Sequence, residues 1–158
     1  MEHSHARIAA GSHVTNDIRI YREATMQTAT CQQTWIDGLN RGDVSVADNV
    51  FAAQCVIHIN GSPDPNLSVA GFKQMLTGLL AAFPDLRITI EDQIDAGNKV
   101  ATRWVAEGTN SAPFGTAPAT GRRVRVDGLI LDHVTDGRIV ERWEQWDQAG
   151  MMQQLGLA

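Results

Sequence analysis

The dipeptide Asp136-Gly137 lies between two long runs in which apolar and polar residues alternate, and nothing else in the chain restricts the fold as tightly. An Asp-Gly pair flanked by such runs is the signature of a two-residue β-hairpin, because both turn positions need positive φ. The alternation predicts a first strand over Arg122–Val134, with Val124, Val126, Gly128, Ile130 and Asp132 on one face. It predicts a second over Arg138–Gln148, with Val140, Arg142, Glu144 and Trp146 on one face and Ile139, Glu141, Trp143, Gln145 and Asp147 on the other. A short helix should follow to the C-terminus. Glu144 stands between Trp143 and Trp146, so it has an apolar neighbourhood whichever way each ring turns.

Upstream, the patterns are helical first and extended later. Residues 1–22 are polar and mixed, and His3, His5 and His13 have no fixed spacing to other ligands, so this stretch reads as an arm that is flexible or packed on the surface. A domain over 23–158 should follow it. Apolar positions from Glu23 to Asn40 recur at helical spacing, and Gly42 suits a left-handed C-cap. Asp43 or Ser45 can cap a short helix through about Ala52. Cys55–Asn60 reads as a strand with Val56, His58 and Asn60 on one face. Ser68 caps a helix over Val69–Ala82, which Phe83-Pro84 ends. Strands follow from Leu86 and over Lys99–Thr109, and Asn110–Thr120 forms a loop over the mouth of the sheet. Helices followed by a run of antiparallel strands make an α+β fold, with the helices packed on one face of a curved sheet.

A single domain fits 158 residues, and an apolar fraction of 43% with 20% charged residues is that of an ordinary globular protein. A net charge of −5 argues against nucleic acid as a partner, and the basic cluster Arg122, Arg123, Arg125 reads as a solvated strand end. No apolar run is long enough to span a membrane and no signal-peptide core is present. Cys31 and Cys55 lack metal-site or CxxC spacing and read as two free thiols. These features together predict a cytoplasmic protein. Dinucleotide- and phosphate-binding glycine motifs are absent, and single histidines in HIN and HVTD give no metal-ligand spacing, so no bound cofactor and no metal are expected.

Four segments, AAFPDLRITIEDQI, NKVATRWVAEGT, FGTAPATGRRVRVDG and DGRIVERWEQWDQAGMMQQLG, occur in the order and pattern of the SnoaL-like polyketide cyclases of the nuclear-transport-factor-2-like superfamily. The resemblance runs from about Cys31 to the C-terminus. It implies a cone-shaped sheet around an apolar pocket. It is specific for the fold and much less so for the reaction, since one scaffold hosts many activities.

By this resemblance Glu144 takes the position of the aspartate acid/base of the family's aldol cyclases, and His58 that of an asparagine. A glutamate in an apolar pocket has a raised pKa suited to proton transfer near neutrality; a histidine there can shuttle a proton or orient a phenolic oxygen. Each also has a plain structural reading, Glu144 as a strand glutamate paired with Arg142 or Arg103 and His58 as a core histidine bonded to backbone. Two further polar positions of the aldol cyclases are Gly128 and Ile130 here. The expected substrate wall comprises Phe72, Met75, Leu79, Phe83, Phe114, Gly128, Ile130 and Trp146, with Arg142 and Arg103 as cations at the substrate.

Aldol closure needs donors to hold the enolate and ketone. The resembled family also includes a branch that takes part in hydroxylating the finished ring system of anthracyclines. With two polar positions lost, that resemblance implies ring hydroxylation of an anthracycline-type aromatic polyketide as the first expectation, electrons coming from the substrate, a soluble reductant or a partner reductase. Intramolecular aldol condensation is the alternative, and a non-catalytic polyketide-binding module the third. One of Trp143 and Trp146 must leave the pocket face, and an apolar outer sheet face predicts a homo-oligomer.

Overall fold

The computed structural model describes residues 29–158, so the expected arm over 1–22 and its three histidines lie outside the described residues. Helix α1 is described over 29–40 and ends where Gly42, at φ +73°, turns the chain. Asp43 then accepts from the Ser45 backbone N–H at 2.9 Å and starts a single 3₁₀ turn, Val44–Val46, that runs into α2, Ala47–Val50. Strand β1 spans Phe51–Ile59, four residues earlier than its β-branched content suggests. The reason lies in packing: Phe51 pairs with Ile139 and is buried, which draws the chain into the sheet at once.

A short β2, Leu67–Ser68, leads into α3, Val69–Ala82, whose Gly71 N–H bonds the Ser68 hydroxyl. Then come β3 (Arg87–Asp95), β4 (Lys99–Thr109), β5 (Arg123–Thr135) and β6 (Arg138–Trp146). Helix α4, Gln148–Leu155, is capped by Asp147 and stopped by Gly156 at φ +74°. Among the described residues no helix is long and apolar enough to cross a membrane.

The six strands form one curved, unclosed sheet in the order β2-β1-β6-β5-β4-β3. Every pair is antiparallel except β1 with β6, which brings β1 alongside the strand that carries Glu144. The β5–β6 turn has Asp136 at φ +51° and Gly137 at φ +71°, the two positive values that the Asp-Gly pair predicts.

The expected face assignment of β6 fails at its start. Val134 pairs with Ile139 but His133 pairs with Glu141, so Val140 is an extra residue, a β-bulge. The bulge puts Ile139, which is fully buried, on the same inner face as Arg142, and Val140 leaves that face's alternation. From Glu141 onward the expected parity holds. On β5, Val124, Val126, Gly128, Ile130, Asp132 and Val134 are all buried, alternating with residues that are exposed or half-buried.

Helices α1 and α3 cover the inner face. Trp35, Phe51 and Phe72 pack there with ring centroids 5.1 to 5.9 Å apart. The 110–121 loop is pinned rather than draped: buried Asn110 bonds Thr120 and Ala112 through its side chain, and the Ser111 N–H bonds the Ala82 carbonyl. This pinning sets Phe114 edge-on against Phe83 at 5.9 Å, over the open end of the sheet.

Candidate active site

Between the inner face of the sheet, α1, α3, α4 and the pinned loop lies a cavity of about 370 Å³. That is within the range of small-molecule sites, and the wall is nearly all apolar, as such sites require. Its floor is built by strand register. The inner side of β6 reads, from core to mouth, Arg142, Glu144, Trp146; across β5 these face Asp132, Ile130 and Gly128. On the other side Glu144 neighbours Ile59 of β1.

Arg142 is fully buried and sealed from the cavity. Its Nε and Nη2 donate to the two Asp132 oxygens at 2.7 Å each, and Nη2 also donates to Gln32 Oε1 at 2.7 Å. The guanidinium lies among the Trp35, Phe51 and Phe72 rings, 4.9 to 6.0 Å from their centroids. Burial alone lowers the pKa of this group, but the Asp132 charge and hydrogen bonds more than offset that. Asp132 is thus the ion partner of Arg142, and Glu144 faces the cavity without one among the described residues.

Glu144 has no such partner. The residue keeps some accessible area at the cavity, yet its Oε2 is out of water and bonds nothing among the described residues. Burial pushes its pKa up to about 7, with Arg142 opposing and Asp132 reinforcing the shift. A carboxyl that divides evenly between acid and base near neutrality, facing an apolar cavity, can take a proton from a bound molecule and return it.

The structure gathers most of the expected wall around Glu144: Phe72, Met75 and Leu79 from α3, Phe83, Phe114, Ile130 and Trp146. Four expected residues do not line the cavity. His58 points to the outer side, where it donates to the Pro65 carbonyl at 2.8 Å and to Glu141 Oε1 at 3.0 Å and stacks on Trp143 at 5.1 Å. Two acceptors on one ring favour the imidazolium, so the Glu141 hydrogen bond raises the His58 pKa. The parity of β1 explains the correction: Cys55 and Ile57 are the buried, inner residues. Arg103 is also outward, beside Glu91 at 4.0 Å. Arg142 is spent on Asp132. Gly128 is on the inner face, but the Trp104 indole occupies the space above it.

Two polar residues of the cavity escape sequence reading. Asn60 lies just past the end of β1, where strand alternation no longer applies; its side chain exchanges two hydrogen bonds with the Trp146 backbone, at 3.0 and 3.1 Å, and joins β1 to β6 beyond the ladder. Trp104 lines the cavity from β4, and its Nε1–H has no acceptor among the described residues. Its only sequence signal is the glycine opposite it, visible once Trp104 and Gly128 are known to be paired. Among the described residues no group of three His, Cys, Asp or Glu side chains is placed to hold a metal.

Residues 29–155 match the family model for the SnoaL-like polyketide cyclases. Among solved structures the chain is similar to IdmH of Streptomyces antibioticus, provisionally described as a polyketide cyclase, at 33% identity and a TM-score of 0.73, over 81% of this chain and 97% of that one. It shares its fold with AclR of Streptomyces galilaeus, provisionally described as a hydroxylase, at 22% identity and TM-score 0.77, covering 85% and 87% of the two chains. The same holds for a SnoaL-like protein of Jannaschia sp. CCS1 at 17% identity and TM-score 0.77, covering 85% and 95%. No curated protein matches the chain.

Proposed function

The chain belongs to the SnoaL-like polyketide cyclase family, and on that premise we propose that it is an acid/base enzyme closing a ring in a polyketide, with Glu144 carrying the proton. The observation that supports this reading above all is the Glu144 carboxyl on the floor of an apolar cavity, with Oε2 out of water and unbonded among the described residues. As carboxylate, Glu144 removes a proton from a carbon flanked by carbonyl groups. The enolate attacks a second carbonyl of the same molecule, one C–C bond forms, and the resulting alkoxide takes the proton back from Glu144. Atoms and electrons balance without another reactant, and the cavity keeps water from quenching the enolate.

Ring hydroxylation of an anthracycline-type substrate is the second reading, favoured by the apolar inner face of β5 at Gly128 and Ile130, where the aldol cyclases carry polar groups. It begins with the same deprotonation, now of a phenol, but requires O₂ and two electrons from a soluble reductant or partner reductase. Ring closure stands first because the proton transfers it needs are those Glu144 can supply, and because the 33% identical relative carries a cyclase description. His58, stacked outside, has no part in either.

The test is incubation with polycarbonyl and hydroxyanthraquinone substrates, read by product mass under ¹⁸O₂. Ring closure gives an unchanged mass or loss of water, and Glu144→Gln slows it by about 10²-fold or more, the usual size of an acid/base contribution. Oxygen gain selects the second reading; binding without any product leaves a carrier module and overturns both.

A further inference from the structure

We propose that Trp104 is the carbonyl-binding residue of this site, its indole N–H donating to a ketone or quinone oxygen of a fused-ring substrate while Glu144 handles the proton. The inference rests on the reading of the cavity as a polyketide site and adds a residue and a substrate feature to it.

Trp104 is 93% removed from solvent, being 7% exposed, and it lines the cavity. A buried indole N–H ordinarily finds an acceptor; this one has none among the described residues. The position of the ring explains why. A Cβ placed on Gly128 would fall 2.5 Å from Cζ2 and 2.8 Å from Cε2 of Trp104, so the nitrogen-bearing edge of the indole lies over the glycine. The inner neighbours of Gly128 on β5 are Val126 and Ile130, which offer no side-chain acceptor. The glycine makes room for the ring and offers no side-chain acceptor; the Gln145 backbone carbonyl also borders this space, yet the N–H bonds nothing among the described residues.

Register places this donor relative to Glu144. Trp104, Gly128 and Trp146 form one row across β4, β5 and β6, and Thr102, Ile130 and Glu144 form the next. The backbones of Trp104 and Glu144 are two strand spacings and one row apart, roughly 12 Å on the diagonal. A single ligand of two or three fused rings meets both, with a carbonyl toward β4 and the ionisable group toward β6. A hydrogen bond to that oxygen stabilises negative charge delocalised onto it when Glu144 withdraws a proton.

The probes are 9-fluorenone and fluorene, planar tricycles that differ by a ketone oxygen against a methylene. Neither carries a proton that Glu144 removes. Affinities are measured by calorimetry at pH 8, where Glu144 is largely ionised and accepts rather than donates. Wild type should prefer fluorenone by about tenfold, the size of one good hydrogen bond. Trp104→Phe should reduce that preference below about threefold; the preference is a ratio, so a change in the apolar wall that alters both affinities alike leaves it unmoved. The carbonyl stretch of bound fluorenone should shift to lower frequency in wild type and return in W104F. Glu144→Gln should keep the preference. An equal fluorenone preference in wild type and W104F overturns the assignment of Trp104 and leaves the acid/base reading standing. Absence of preference in wild type also overturns it, and failure to bind either compound overturns the aromatic-site reading with it.

Discussion

Three ionisable residues on adjacent strands divide their roles by what surrounds each. Asp132 and Arg142 are joined by a fork of two 2.7 Å bonds with no solvent access, whereas Glu144, two residues from Arg142, has no ion pair among the described residues. A buried pair of this kind costs much desolvation, so it adds little net stability, but removing one member strands the other charge. Arg142→Met is therefore expected to destabilise the protein by about 3–5 kcal/mol, and the double change Arg142→Met with Asp132→Leu by clearly less. Urea unfolding of the three proteins checks this, and equal losses for single and double variants would contradict it. Glu144 was recognisable from its setting between tryptophans. The closed Asp132–Arg142 pair was not, because Arg142 and Asp132 sit ten residues apart and only the strand register makes them partners.

Strand and turn chemistry were the most legible elements. The Asp136-Gly137 turn, the alternation of β5 and the Ser68 cap of α3 each follow from local rules, and each is present. Elements were misread where a non-local contact decides. Bulging at Val140 inverts Ile139, and no composition signal marks it. The early start of β1 depends on the parallel pairing of Phe51 with Ile139, a contact between opposite ends of the domain. Likeness to a family position points His58 into the pocket, whereas the β1 register sends it outward to Trp143. Sequence pattern alone makes Gly128 a piece of open wall; in the sheet it is the seat of the Trp104 ring, so a leucine there meets the indole and the Gln145 carbonyl rather than a ligand.

At the scale of the molecule, the two faces of the sheet have opposite characters. The outer face exposes Ile94, Leu129 and Leu131, at 66%, 57% and 38%, beside Trp143. We propose a second copy of this chain as its cover, in a symmetric sheet-to-sheet dimer; Leu129→Glu with Leu131→Glu should then dissociate it, and a sedimentation mass of one chain for the unaltered protein would contradict the dimer. The inner face, closed by helices and loop, withdraws the Glu144 carboxyl from water, and the whole account depends on that withdrawal. Its thermodynamic signature is linkage. Folding raises the Glu144 pKa from 4.5 to about 7, so between those values the native state holds a proton that the unfolded chain has released, and stability falls as pH rises. The loss attributable to this group amounts to about 3 kcal/mol. The direct measurement is the unfolding free energy of wild type and Glu144→Gln across pH 4 to 9: the account predicts that wild type loses about 3 kcal/mol relative to the variant as pH rises, most of it below about pH 7, whereas a difference that stays constant with pH would show an ordinary solvated carboxyl and contradict it.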